Sequence, residues 1–303
     1  MKFEVTILGC NSAIPTTTRF PSAQVINLSE HFFLIDCGEG TQTQLRNYKF
    51  KFQKINNVFI SHLHGDHYFG LIGMLSTFHI LGRKHPLHIY SHPDLKEIIE
   101  LQLKTSDSKF NYELIFHFLK YDGSEIIFEN NLLTVETVLL NHRIPCCGFV
   151  FREKERDKKI IPAKLKEHKI PISELQKIKK GVDFITKENK IILNSEITLS
   201  PAPLRSYAYC SDTCYDENII EKIKNVDLLY HEATFLENKI ERAIQTFHST
   251  AKQAATIAAK ANAKQLIIGH YSSRYDDLQP LLEEAKKEFS NTLLGIEGTT
   301  YSV

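Results

Sequence analysis

Six consecutive residues, His62-Leu63-His64-Gly65-Asp66-His67, place three imidazoles and a carboxylate directly after the apolar run Val58-Phe59-Ile60. A strand that ends in such a turn presents metal ligands, because imidazole and carboxylate are side chains that zinc favours. His62 and His64, two residues apart, can aim at one ion, while Asp66 and His67, displaced along the turn, can reach a second. Three more candidates stand at strand exits far downstream. The strand-like stretch 132–140 delivers His142, Tyr207-Ala208-Tyr209-Cys210 delivers Asp212, and Leu266-Ile267-Ile268 delivers His270 just past Gly269. Together these residues compose a dinuclear zinc site. His62, His64 and His142 take one ion, Asp66, His67 and His270 take the other, Asp212 bridges, and one position stays open for catalysis.

The elements that must carry these side chains are legible as an alternation of strands and helices. The chain starts with the alternating strand Phe3-Glu4-Val5-Thr6-Ile7-Leu8, and Gln24-Val25-Ile26-Asn27-Leu28 and Phe32-Phe33-Leu34-Ile35 follow as a β-meander. A helix is predicted from near Thr41 and carries Leu45. A second follows the metal turn with Phe69, Leu71, Ile72, Met74 and Leu75 as a surface suited to burial. Ala251, Ala254, Ala255, Ile257, Ala258, Ala259 and Ala261 form an alanine-rich helix, with Ser249 and Thr250 as its caps. Asp36, at the exit of a strand, can accept N–H bonds from the metal turn and fix its shape, with Gly38 beside it one layer out.

At 303 residues the chain can bury a large core as one domain, 1–303, and its net charge of +1 excludes a globally basic nucleic-acid binder. Any RNA contact must come from local patches. Six scattered cysteines include no Cys-x-x-Cys pair, and adjacent Cys146-Cys147 would make a strained disulfide, so all are read as reduced. No apolar run approaches the ~18 residues of a membrane span and no leader precedes the first strand, which predicts a cytoplasmic protein.

The motif His62-x-His64-x-Asp66-His67 resembles the metallo-β-lactamase superfamily. The blocks Asp36-Cys37-Gly38-Glu39-Gly40-Thr41-Gln42, Cys210-Ser211-Asp212-Thr213, His231-Glu232-Ala233-Thr234-Phe235, His248-Ser249-Thr250 and His270-Tyr271-Ser272-Ser273-Arg274-Tyr275 resemble its ribonuclease Z branch, the tRNA 3′-processing endonucleases. This resemblance implies an α/β fold, the αββα sandwich, with metal ligands converging from loops at one edge of two sheets. It implies a zinc-dependent endoribonuclease that cuts precursor tRNA after the discriminator nucleotide, leaving a 3′-hydroxyl on the tRNA and a 5′-phosphate on the trailer. Two Zn2+ per chain activate the reaction, and Asp66 serves as base or orienting group for the nucleophile. His248 gives the leaving oxygen its proton, with Glu232 holding its tautomer. A homodimer is also implied. The alternative within the superfamily is a hydrolase of small phosphodiesters or thioesters.

One stretch, 152–200, does not read as part of a compact domain. It is rich in lysine, including Lys158, Lys159, Lys164, Lys166, Lys169, Lys177, Lys179 and Lys180, and sits between two ligand-bearing strands. The resemblance implies a protruding arm that pairs these lysines with tRNA phosphates. The Gly-Pro-rich tip of many such arms is replaced by Ile170-Pro171-Ile172-Ser173. Near the cleft, the loop Ser12 to Arg19 is expected to meet the RNA 3′ end through hydroxyls and Arg19, and Tyr271, Ser272, Arg274 and Tyr275 to contact phosphate or a stacked base. His31, His79, His85, His88, His92, His117 and His168 have no ligand partners at useful spacing.

Overall fold

Period-two alternation sorts the strand side chains into two layers. In Leu87–Ser91, Leu87 and Ile89 join a cluster with Leu34, Val58, Met74, Leu75 and Phe78 beneath the helices, whereas Tyr90 turns the other way and stacks on Phe59 at 4.6 Å. Phe33 and Phe59 face a second sheet, where Phe59 lies 5.4 Å from Phe149 and Phe33 5.9 Å from Phe151. The interlayer is therefore rich in aromatic rings, while the cluster beneath the helices mixes aliphatic side chains with Phe52, Phe78 and Tyr112.

The structure, a computed structural model, describes residues 2–303, which divide into two units. The first takes in residues up to Glu129, Thr134–Arg152 and Arg205–Val303. Among the described residues it holds two 7-stranded sheets. One runs Thr300–Ser302, Phe3–Gly9, Ala23–Leu28, His31–Ile35, Ile55–Phe59, Leu87–Ser91, Leu114–Phe118; its first four strands pair antiparallel and the rest parallel. The other runs Thr292–Leu294, Gln265–Gly269, Leu228–Glu232, Ser206–Cys210, Cys147–Glu153, Leu133–Leu139, Ile126–Glu129, with the first four parallel. Helices Thr41–Asn47 and Leu71–Ile80 cover the first sheet, and Ala251–Lys260 with Gln279–Glu288 covers the second. This is an αββα sandwich.

Local signals behave as their chemistry dictates. Thr250 caps the alanine-rich helix through a capping box with Gln253, while Ser249, expected as a second cap, instead donates to the Thr213 carbonyl at 2.7 Å. Phe69, expected to be buried, is 62% exposed, because it falls in the break between helices Gly65–Tyr68 and Leu71–Ile80. All six cysteines are free, and no helix of the described residues is long and apolar enough to cross a membrane.

The second unit comprises Asn130–Leu133 and Glu153–Leu204. It has a small core of its own, in which Ile178, Phe184, Ile192 and Ile197 pack with Ile160 and Ile170. Two short ladders support it, Lys159–Ile160 against Thr198–Leu199 and Phe184–Ile185 against Ile191–Ile192. Buried Asn194 ties the segments together: its amide donates to the carbonyls of Ile178 (2.7 Å) and Val182 (3.0 Å), and its oxygen accepts from Lys158 Nζ (2.9 Å). The lysine-rich stretch is thus a folded unit that runs from Glu153 to Leu204 and takes in Asn130–Leu133.

Candidate metal centre

Strand Ile55–Phe59 ends between two neighbours of the first sheet, and the chain leaves it still extended through His64 (φ −74°, ψ 144°) before entering the helical turn Gly65–Tyr68. Extended backbone puts His62 and His64 on one side, and the switch to helix turns Asp66 and His67 elsewhere. Asp212 arrives from the exit of Ser206–Cys210, His270 from the exit of Gln265–Gly269 in the left-handed region (φ 60°), and His142 from the loop after Leu133–Leu139.

The ligand atoms of His62, His64, His142 and Asp212 lie within 4.8 Å of one another, and so do those of Asp66, His67, Asp212 and His270. Asp212 belongs to both groups. Its Oδ1 faces His67 Nε2 (3.3 Å) and His270 Nε2 (3.2 Å), and its Oδ2 faces His62 Nε2 (3.7 Å) and His142 Nε2 (3.9 Å). Asp66 Oδ2 stands 3.4 Å from His67 Nε2 and 3.3 Å from His270 Nε2.

The donor set fits a pair of zinc ions. Buried His67 Nε2 and Asp212 Oδ1 have no hydrogen-bond partner, a costly arrangement unless something positive is held between them. His64 turns Nδ1 inward and Nε2 toward Arg143 Nη2 (3.2 Å), and the outward nitrogens of the other four histidines are engaged as well. His62 Nδ1 meets Ser61 Oγ (3.0 Å), His67 Nδ1 meets Asp36 (2.7 Å), His142 Nδ1 meets the Phe247 carbonyl (2.9 Å) and His270 Nδ1 meets Thr234 Oγ1 (3.0 Å). Each of these contacts leaves Nε2 with a lone pair aimed inward. Electrostatics agrees. Burial alone would lower the basicity of His67, yet Asp212, Asp66 and Asp36 hold it well above the ordinary histidine value. Burial would raise Asp66, yet His67 and His270 hold it well below the usual carboxylate range.

Glu232, His248 and His270 form a third close group, but it reads as a hydrogen-bonded dyad. The fully buried Glu232 carboxylate already accepts from His248 Nδ1 (2.8 Å), Thr213 N (3.1 Å), Thr234 N (3.1 Å) and Thr234 Oγ1 (2.8 Å), leaving no lone pair for an ion. Burial pushes His248 down, but Glu232 at hydrogen-bond distance overrides it and raises the imidazole to about 9. Left-handed Phe247 (φ 58°) ends helix Ile240–Thr246 and turns His248 into the cleft.

The cleft, about 580 Å³, is lined by His64, Asp66, His142, Asp212, His248 and His270, with Ser12, Ala13, Phe235 and three arginines, Arg143, Arg242 and Arg274, around them. Arg143 and Arg242 carried no signal in the sequence beyond a neighbouring ligand or an amphipathic helix. Other expectations are corrected. Arg19 does not face the cleft: Nε donates to Asn11 Oδ1 (2.9 Å) and Nη2 to the Tyr275 carbonyl (2.7 Å), so it clasps two loops. Tyr271 is buried, its hydroxyl donating to the Ile268 carbonyl (2.5 Å) and accepting from Gly295 N (3.0 Å), and the Tyr275 hydroxyl accepts from Leu236 N (3.1 Å). Ser272 and Arg274 do line the cleft. Asp36 sits under the metal turn, accepting from Ser61 N at 2.8 Å as well as from His67.

Comparison with known proteins gives three kinds of likeness. Residues 3–163 match the family model described as Anti-Pycsar protein Apyc1. The chain is 48% identical over 302 residues to ribonuclease Z of Bacteroides fragilis (strain YCH46), covering 100% of this chain and 99% of that one. It is 47% identical over 304 residues to ribonuclease Z of Cytophaga hutchinsonii, covering 100% and 97%. Among solved structures, the short form of human tRNase Z superposes with a TM-score of 0.71 at 25% identity over 99% of both chains. The metallo-β-lactamase fold protein YhfI of Bacillus subtilis superposes at 0.69 with 20% identity over 100% of both, which speaks to the fold.

Proposed function

Because the chain belongs to the ribonuclease Z family and is an endoribonuclease acting on phosphodiester bonds, we propose that it cuts precursor tRNA just 3′ of the discriminator nucleotide. The tRNA keeps a 3′-hydroxyl and the trailer a 5′-phosphate. The observation that carries this reading is the pair of four-ligand groups sharing Asp212 on a cleft that also holds the His248–Glu232 dyad.

His62, His64, His142 and Asp212 would hold one zinc and Asp66, His67, His270 and Asp212 the other, two per chain. Zinc in this setting lowers the pKa of water toward neutrality and neutralises charge building on the phosphate. Asp66, buried at the junction of cleft and ligand shell, orients the attacking water and takes its proton. As that oxygen bonds to phosphorus, the bond from phosphorus to the 3′ oxygen breaks. His248, protonated through its pairing with Glu232, donates its Nε2 proton to that leaving oxygen. The cleft arginines counter the phosphate charge on either side.

The lysine-rich second unit supplies phosphate contacts to the tRNA body, and the active assembly is a homodimer in the cytoplasm. A hydrolase of small phosphodiesters or thioesters would need the cleft but not the second unit, so substrate comparison separates the two readings. The test is chelation followed by zinc titration, assayed on a precursor tRNA and on an aryl phosphodiester. RNA cleavage returning with about two equivalents of zinc supports the proposal. Turnover of the small ester without any RNA cleavage overturns it.

A further inference from the structure

The buried carboxylate that aligns His67 is itself held from the opposite sheet. Asp36, fully buried and in the left-handed region (φ 53°), accepts from four donors: Ser61 N (2.8 Å), Ser61 Oγ (3.0 Å), His67 Nδ1 (2.7 Å) and the hydroxyl of Tyr209 (2.6 Å). Three of these four converge on Oδ2. Ser61 Oγ spends its single proton on Asp36, so it receives His62 Nδ1–H at 3.0 Å as an acceptor. The Asp36–Ser61 pair thus orients one imidazole of each ligand group.

We propose that Tyr209 is a positioning residue for the metal pair. Its hydroxyl pins Asp36, and through Asp36 the imidazole of His67, so that it sets the affinity of the group containing Asp66, His67, Asp212 and His270 for its ion. This inference rests on the two-zinc reading of the cleft. Tyr209 suits the task in three ways. It lies on strand Ser206–Cys210, whose exit delivers Asp212 three residues on, so one short segment places the shared ligand and the pin. Its ring is buried and stacked on Tyr230 at 5.1 Å and 19°, which leaves the hydroxyl little freedom. A second stitch, Ser211 Oγ to Ser61 Oγ at 3.1 Å, joins the same strand to the metal turn.

A plain inter-sheet staple is available for comparison on the same strand. Tyr207, equally buried, donates to Gln24 Oε1 of the first sheet and touches no ligand or ligand partner. The experiment compares zinc binding, by competition with a chromophoric chelator, in the full-length wild type, Tyr209→Phe and Tyr207→Phe, with melting temperatures of the metal-free proteins alongside. Tyr209→Phe keeps the ring and removes one hydroxyl. The proposal expects one of the two zinc ions to weaken about 10- to 100-fold and the other less than about threefold. Tyr207→Phe should keep both affinities and change only the melting temperature. Asp36→Asn, which removes one acceptor oxygen at near-constant shape, should weaken the same ion at least as much and, because Asp36 also holds Ser61 against His62, the other ion as well. Wild-type affinity for both ions in Tyr209→Phe, or a loss no larger than in Tyr207→Phe, overturns the proposal. A wild type that binds no zinc overturns the metal reading beneath it, which is a separate and recognisable result.

Discussion

Glu232→Gln isolates the protonation of His248 from its position. In the native protein Glu232 Oε1 lies 2.8 Å from His248 Nδ1, and this contact lifts the imidazole from an ordinary 6.5 to about 9 against its own burial. That lift corresponds to about 3 kcal/mol of preference for the charged ring. A glutamine retains the shape but removes the largest of the charges that raise the ring, so its pKa falls, with Asp212 and Asp66 still opposing burial. At neutral pH the protonated fraction therefore drops, which predicts cleavage of RNA slower by on the order of tenfold. The alkaline limb of the pH–rate profile should move to lower pH. The displacement between the two profiles is the quantity to read. An aryl phosphodiester, whose leaving group needs no proton, should be nearly indifferent to the substitution, as it should to His248→Ala. Zinc content and melting temperature serve as controls for the contacts that Glu232 makes to Thr213 and Thr234. An unmoved pH limb, or equal losses on both substrates, would refute the acid role.

Asp66→Ala should abolish cleavage while circular dichroism stays native, since one ligand of a group of four is lost; near-wild-type turnover would count against the assigned site. Glu297 gives a stability test remote from the metals. Burial raises its carboxyl from 4.5 to about 7, so the folded state holds that proton where the unfolded chain has lost it. Its contribution is complete below about pH 4.5 and fades as pH rises through 7, modestly because the group is partly solvated; Glu297→Gln should flatten this part of the melting-temperature profile. Replacing 154–203 by a short Gly-Ser bridge, which the pairing of Arg152 with Ser206 makes easy to close, should spare aryl phosphodiester hydrolysis. The same deletion should weaken precursor tRNA binding and flatten its salt dependence, and unchanged RNA affinity would remove the second unit from the binding surface. Ending the deletion near Ile191 would instead strip Ile178 and Phe184 from Ile192 and Ile197 and expose half a core.

What could be read from the sequence was whatever chemistry is written in adjacent residues. His62 to His67 are contiguous, and His142, Asp212 and His270 each follow an apolar strand, so their convergence at the sheet edges is a consequence of topology. Asp36 was legible for the same reason. Tyr209 was not, because the role of its hydroxyl depends on how two sheets face each other across 173 positions of sequence. Arg19 looked like a free cation beside a cleft, but its Nε and Nη2 are committed to Asn11 and Tyr275. The core of the second unit was hidden for a different reason. Ile160, Phe184 and Ile192 sit in apolar runs of two or three residues and Ile170, Ile178 and Ile197 stand singly, too short and scattered to raise a period, and they meet only once short ladders bring them together.

The most direct measurement is incubation of the zinc-loaded enzyme with a precursor tRNA labelled at both ends, followed by mapping of the products. One cut immediately 3′ of the discriminator, with a 3′-hydroxyl on the tRNA body and a 5′-phosphate on the trailer, is the predicted result. A 2′,3′-cyclic phosphate, cleavage scattered through the trailer, or intact RNA beside rapid turnover of a small phosphodiester would contradict it.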